Sequence, residues 1–542
     1  MADTKRKDRS LILGVMALSA AGVLVKVAGL LFRVPLTKMI GSSGMGYFNS
    51  AYTIWSFFYL ISTAGLPVAL SILVSKARAT NDIQKCRKLL TVALRIFSAL
   101  GFALSLIMLL FAGTLSKLIS NPGAKYSIAA IAPSVLLTCV ISAYRGYFQG
   151  FQNMVPTALS QLAEALGKLG FGLLFAHAAL VSGADAGKAA AAAISGVTLS
   201  SALALLLLII CKALFKEDKG GEKCVCVSSK RLAGRLIKIS LPISASFAVT
   251  SLSGLLDLAI VMRRLQSVGY TAGLSNAIYG GYTAMSVPLF NLPSVLITPI
   301  ACSAVPFIAK AAASGDLDGV KKSADGCFKY AMIISAPAGI GLSVFSERIL
   351  SLMFGKTAAA GEAGMLALLS LSLPFAAITN VTAAIMQACG RTKLPIISMS
   401  AGSAAKLISA WLLIGRYGMS GTPLSTLICY LTITALNLLL LRSVLKIKTD
   451  LFKTGLPALI LAGLSVAAAL ILLNMMTGIP ESAGTLAAVA FAAVIYLVLL
   501  LGTRVISPAE LEGFPVIGKI IKERQKDVKR RKSGGACRKE KI

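Results

Sequence analysis

The stretch "GYFNSAYTIWSFFYLISTAGLPVALSILVSKA", residues Gly46–Ala77, is almost wholly apolar, and it returns in altered form at Gly281 as "GYTAMSVPLFNLPSVLITPIACSAVPFIAKA", an offset of 235. A second pair keeps nearly the same offset: "QGFQNMVPTALSQLAEALGKL" from Gln149 matches "QACGRTKLPIISMSAGSAAKL" from Gln387, 238 residues on. Two matches at one spacing divide the chain into halves of the same orientation, a parallel repeat of long apolar helices.

A helix needs about 20 apolar residues to cross a bilayer core. With 56% hydrophobic residues, 14% charged residues and a mean hydropathy of +0.81, the 542-residue chain lies far from soluble composition. Its apolar runs are continuous, whereas barrel strands alternate over about 10 residues, so the spans are helices. Fourteen are expected, near 11–40, 47–75, 89–116, 127–149, 157–181, 188–212, 236–262, 277–308, 325–346, 363–388, 394–415, 420–442, 454–476 and 484–504. The first run could pass for a signal peptide, but it continues to Ile40 and a second span follows. The loops, tails and adjoining helix ends on the N-terminal side of that count carry 38 Lys and Arg; those on the other side carry 6 (Lys117, Lys125, Lys188, Arg348, Lys356 and Arg416), with Arg263 and Arg264 counted at membrane depth. The positive-inside rule then puts both termini in the cytoplasm and accounts for most of the +33 net charge without nucleic acid.

The expected fold is therefore an all-α polytopic membrane protein with two six-helix lobes and two additional helices. The N-lobe spans 1–222, the C-lobe 223–449, helices thirteen and fourteen 450–510, and a basic cytoplasmic tail 511–542, suited to anionic lipid. The ten cysteines are scattered, and the close pair Cys224 and Cys226 has no partner pair or histidine to complete a zinc site. There is no Walker A sequence and a single histidine, His177. No metal or cofactor is implied, though a coupling ion or the membrane potential remains open.

Helix one carries Gly22, Lys26, Gly29 and Arg33 at steps of four, three and four, which places them on one face. Snorkelling to the two interfaces would explain the cations but not the glycines; a cavity explains both. Helix seven has a stripe of Ser246, Thr250, Ser253 and Asp257, with Arg263 and Arg264 beyond it. Helix five carries Glu164 and Lys168 at i, i+4, expected to pair with each other, and helix eleven places Lys406 at the position equivalent to Lys168. Arg145, at the end of helix four, reads as an interfacial anchor. At membrane depth Lys26, Arg33, Lys168, Arg263, Arg264 and Lys406 face only Glu164 and Asp257. Such a surplus suits water or an anion, and arginine's fork suits phosphate. Helix eight is interrupted by Pro288, Pro293, Pro299 and Pro306, and helix two by Gly65 and Pro67, where bending is expected.

The run from Lys26 to Ala77, the segment "YRGYFQGFQNMVPTALSQLAE" from Tyr144, and "PLFNLPSVLITPIACSAVPFIAKA" from Pro288 resemble the polysaccharide-transporter branch of the multidrug/oligosaccharidyl-lipid/polysaccharide (MOP) exporter superfamily. Within it the resemblance is to the group of stage V sporulation protein B and the MurJ-type lipid II flippases of Gram-positive bacteria, and it covers nearly the whole chain. It implies two six-helix lobes around a cationic cavity in the cytoplasmic membrane and a lipid-facing groove at the extra helices; a monomer is expected. Its substrate would be an undecaprenyl-pyrophosphate-linked oligosaccharide or lipid II, flipped outward for peptidoglycan or polysaccharide synthesis. On that resemblance Lys26 and Arg33 would hold the pyrophosphate from the N-lobe, and Arg263 or Arg264 from the C-lobe. Gram-negative members carry a further arginine in helix two, where this chain has "WSFFYL", Trp55 to Leu60. A drug exporter of the same fold would show membrane carboxylates in excess. A glycosyltransferase or ligase would need catalytic carboxylates in a sizeable outer loop, and the short outer loops carry only Asp185, Glu347, Glu362 and Glu481.

Overall fold

The structure, a computed structural model, describes residues 2–63, 65–215, 228–447, 451–476, 480–503 and 505. Cys224, Cys226 and the basic tail 511–542 lie outside the described residues, as do the side chains of Ser246 and Thr250. The described chain is helical throughout, joined by short turns. Ten helical segments among the described residues are long and apolar enough to cross a membrane, or eleven when the pair Lys356–Ser370 and Leu373–Ala388, bent by 43°, counts as one span. Two of the ten, Leu24–Ala79 and Lys393–Ser443, run for 56 and 51 residues, more than twice what a bilayer core takes at about 1.5 Å per residue. Each is interrupted at a glycine in the left-handed region, Gly41 at φ 67° and Gly418 at φ 57°, where a side chain would be strained.

The repeat extends to a feature that the apolar pattern hides. Helix Ile83–Leu110 breaks at Phe111 and resumes as Ala112–Leu118; helix Leu317–Val344 breaks at Phe345 and resumes as Ser346–Phe354. The two phenylalanines have nearly the same backbone angles, φ −96° and ψ 15° against φ −95° and ψ 16°. The first break falls inside an apolar run, so hydropathy alone merges its two pieces into 89–116; the second is followed at once by Glu347 and Arg348, where the expected span ends.

Inside a bilayer no hydrophobic force draws helices together, and close packing of small residues does that work instead. Between helices Val155–Val181 and Ala186–Leu214, Gly167 lies against Ser200 and Gly196 against the backbone of Gly172, so close that a Cβ on Gly167 or Gly196 would clash across the pair. Hydrogen bonds bind the second half: Ser398 donates to Asn437 Oδ1, and Asn437 Nδ2 donates to Thr382 Oγ1 at 2.7 Å. The outer surface is apolar, with Leu110, Leu174 and Ile471 exposed as lipid-facing residues would be.

The π-helix Tyr282–Ser286 lies between helix Ala272–Gly281 and Val287–Asn291. Pro288 follows it, and a proline cannot donate the ordinary i→i−4 bond, so the ladder is displaced here. The displacement frees carbonyls in the middle of the protein, one of which the site uses.

Candidate anion site between the two halves

Arg33 sits about 12 Å along the helix from the turn at Gly41. Its Nη1 donates to the backbone carbonyl of Thr283 in the π-helix at 2.7 Å, so the side chain reaches from the first half of the chain to the second. Cβ atoms built on Gly22 and Gly29 meet nothing within 4 Å, so the stripe that ends at Arg33 borders open space. The exposed apolar residues of the same helix, Leu24, Val27 and Leu31, lie roughly 150° around from that stripe at 3.6 residues per turn. Lys26 is exposed on the stripe, away from the lipid-facing side.

The Lys168 ammonium stands over three rings, 4.6 Å from the centroid of Tyr52, 5.0 Å from Phe32 and 5.7 Å from Phe48. Aromatic faces stabilise a cation while leaving its charge unneutralised. Tyr52, Trp55 and Tyr59 continue as a ladder with ring centroids 4.9 Å apart, and Trp55 Nε1 is buried without an acceptor among the described residues.

The expected pairing of Glu164 with Lys168 does not form. Glu164 Oε2 instead accepts from Arg145 Nη2 at 3.0 Å, and Arg145 Nε donates to Ser160 Oγ at 2.9 Å. Arg145 is correspondingly a partly buried structural cation and not an interfacial anchor, because its fork can satisfy an oxygen of Glu164 and of Ser160 together while an ammonium beside aromatic rings cannot. We therefore expect Glu164→Gln, which strands Arg145, to cost up to about 3–5 kcal/mol. The double variant with Arg145→Gln should recover most of it. Thermal melting of the purified variants checks this, and a further Lys168→Gln exchange should give no such rescue.

In the second half Lys406 Nζ donates to Asp257 Oδ2 at 2.8 Å, with both side chains about four-fifths buried, so this cation is neutralised. Arg264 lies in the last turn of helix Ser229–Ser267, with Arg263 just before it. Arg263 is exposed; Arg264 stacks 4.8 Å from the Trp411 ring and donates to the Trp411 carbonyl at 3.0 Å. The structure thus does not bring this pair to the mid-depth site; away from that rim, Lys26, Arg33 and Lys168 are the sequence-derived cations without a carboxylate partner among the described residues. The surplus is concentrated in the first half.

Two contacts between the halves enclose this region. Toward the turn at Gly41, Asn121 Nδ2 donates to Asn276 Oδ1 at 2.8 Å and to Ser50 Oγ at 3.0 Å; Asn276 Nδ2 donates to the Ser43 carbonyl, and Asn49 Nδ2 to Thr283 Oγ1. Here Gly46 and Gly280 meet backbone to backbone, and Cβ atoms on them would strike Asn276 and Ser42. Toward the basic loops, the Gly65 amide donates to Ser244 Oγ at 3.2 Å, and a Cβ there would strike the Ser240 carbonyl. A separate apolar cavity of about 440 Å³ opens between helices Leu317–Val344, Leu373–Ala388, Gly421–Ser443 and Leu451–Met475, lined by Ile340, Pro374, Phe375, Leu438 and Leu456 among others.

The family of polysaccharide biosynthesis proteins matches residues 11–312. The chain belongs to that family. The MatE family matches residues 242–412, and the chain is accordingly a membrane transporter of the MOP superfamily. This polysaccharide biosynthesis protein is 26% identical to stage V sporulation protein B of Bacillus subtilis (strain 168), over 94% of this chain and 98% of that one. It is 24% identical to the lipid II flippase MurJ of the same organism, over 78% and 80%. Among solved structures, lipid II flippase MurJ in an inward closed conformation shares its fold, with a TM-score of 0.69 at 16% identity over 90% of this chain and 99% of that one.

Proposed function

We propose that the protein flips an undecaprenyl-pyrophosphate-linked cell-wall precursor across the cytoplasmic membrane by alternating access, and that it catalyses no covalent step. The observation that carries this reading is the division of the cations. Arg145 and Lys406 are each bound by a carboxylate, whereas Arg33 and Lys168 stand near each other without one among the described residues, as a site for a pyrophosphate requires. The name of the Bacillus subtilis lipid II flippase supports this substrate class, and the apolar cavity beside helix Leu451–Met475 would take the lipid chain. The charge asymmetry, 38 Lys and Arg on one side against 8 on the other once Arg263 and Arg264 are counted at the rim, supports fourteen passes with both termini in the cytoplasm and the basic face inward.

In this scheme the contact at Gly65 opens to admit the headgroup from the inner leaflet, and the contact at Gly46 and Gly280 opens to release it. The two lobes, 1–222 and 223–449, rock about a site that serves both states, and one chain suffices. Complementation of cells depleted of their lipid II flippase tests the reading in vivo. Native mass spectrometry tests it directly: lipid II should remain bound, and the same lipid lacking pyrophosphate should not. Equal binding of both would overturn it.

A further inference from the structure

Glu362 was expected in an outer loop. It lies instead in helix Lys356–Ser370 with 6% of its surface exposed. Its Oε2 is buried with no hydrogen-bond partner, and no ion pair reaches it among the described residues. The carboxyl is pressed against Gly281, where any side chain would strike it. Gly281 follows Gly280, which makes the backbone contact with Gly46, and precedes the π-helix whose Thr283 receives Arg33 and Asn49. An acid therefore stands directly behind the contact that closes this side of the protein.

We propose that Glu362 is a proton-binding site governed by that contact: it holds a proton while Gly46 and Gly280 meet and releases it when the halves part there and water enters. A bare carboxylate in this position would have neither a cation nor a donor, which is costly in a dry interior, whereas a neutral acid removes the charge. The packed elements offer no substitute. Tyr279 and Tyr282 flank Gly281, Cys429 and Tyr430 lie on Gly421–Ser443, and Glu347 and Arg348 line a surface cavity with Lys356. Helix Leu317–Val344 carries its charges in its first half, toward the basic loops. Among the described residues no cluster of His, Cys, Asp and Glu forms that could hold a metal ion. Linkage fixes the sign: if closure favours the protonated acid, then acid favours closure, and by the same factor. Low external pH thus returns the protein to the state that is closed on this side. The inference rests on alternate opening of the two faces and is independent of which lipid is carried.

The test uses the full-length purified protein in nanodiscs without substrate. Infrared difference spectra recorded across a pH titration should show a protonated carboxyl band at neutral pH that Glu362→Gln removes and Glu362→Asp displaces. In parallel, nitroxide labels at Ser182→Cys and Val268→Cys, in a background cleared of exposed native cysteines, report the separation of the halves on this side. The wild type should populate the longer distance as pH rises, and Glu362→Gln should stay closed at every pH. Absence of a band that depends on Glu362, or an unchanged pH response in Glu362→Gln, overturns the proposal. A band lost on adding sodium at constant pH also overturns it, because the carboxylate would then be holding a metal cation. Failure of lipid II binding would leave both readouts intact, so the two readings fail separately.

Discussion

Arg33→Ala should abolish complementation of flippase-depleted cells while the protein still accumulates in the membrane at normal abundance. The side chain uses Nη1 on the Thr283 carbonyl and keeps further guanidinium donors for a ligand, without a carboxylate competing for them. Losing a charge-assisted bond to phosphate costs roughly 1.5–3 kcal/mol, about a tenfold to hundredfold loss of affinity. Arg33→Lys should recover only part, since an ammonium keeps the charge and loses the two-pronged geometry. Lys26→Arg should be better tolerated than Lys26→Ala, because an exposed residue on the stripe contributes mainly charge. Lipid II affinity, measured beside complementation and membrane abundance, separates a ligand role from a fold defect. Full complementation by Arg33→Ala at normal abundance would reduce Arg33 to a link between the halves.

Much of this was legible in the sequence for a definite reason. Hydropathy and charge report the solvent of each segment, and a bilayer makes that report unusually clear; the all-helical fold followed from it. The Gly22–Arg33 stripe was legible too, because helical periodicity fixes which residues share a face. Pairing between faces was not. Spacing of four made Glu164 and Lys168 neighbours on one helix, yet Arg145 from the preceding helix takes the carboxylate, and nothing local to helix Val155–Val181 encodes the approach of Arg145. Similarly, Arg263 and Arg264 were assigned a depth from a helix ending at 262, and the helix runs on to Ser267, which puts the pair at its rim. Glu362 was lost the same way, by a boundary seven residues late. The one local signal for its burial was the glycine pair at 280 and 281, whose meaning depends on a contact 234 residues away in the chain.

That contact yields the second large effect. Gly280→Ala should abolish flipping by holding the protein open on the side of the Gly41 turn. A Cβ at 280 would meet the Ser42 carbonyl and the backbone of Gly46, and backbone cannot move aside by changing rotamer as a side chain can. Overpacking of this kind costs typically about 1–3 kcal/mol, and here it falls on one state alone, since separated halves carry no clash. A difference of that size shifts a two-state equilibrium by about fivefold to 150-fold toward the open form. Gly46→Ala should act alike through the Asn276 carbonyl, whereas Gly29→Ala, whose Cβ meets nothing within 4 Å, should be tolerated and serves as the control. The readout is a cysteine at Ser50, a fully buried position bonded to Asn121, probed in cells with a membrane-impermeant thiol reagent. With Gly280 intact, Ser50→Cys should resist labelling; with Gly280→Ala it should label readily, above the background of the native cysteines. Protection of Ser50→Cys in both cases, together with full complementation by Gly280→Ala, would show that this close approach is incidental packing and that the release path lies elsewhere.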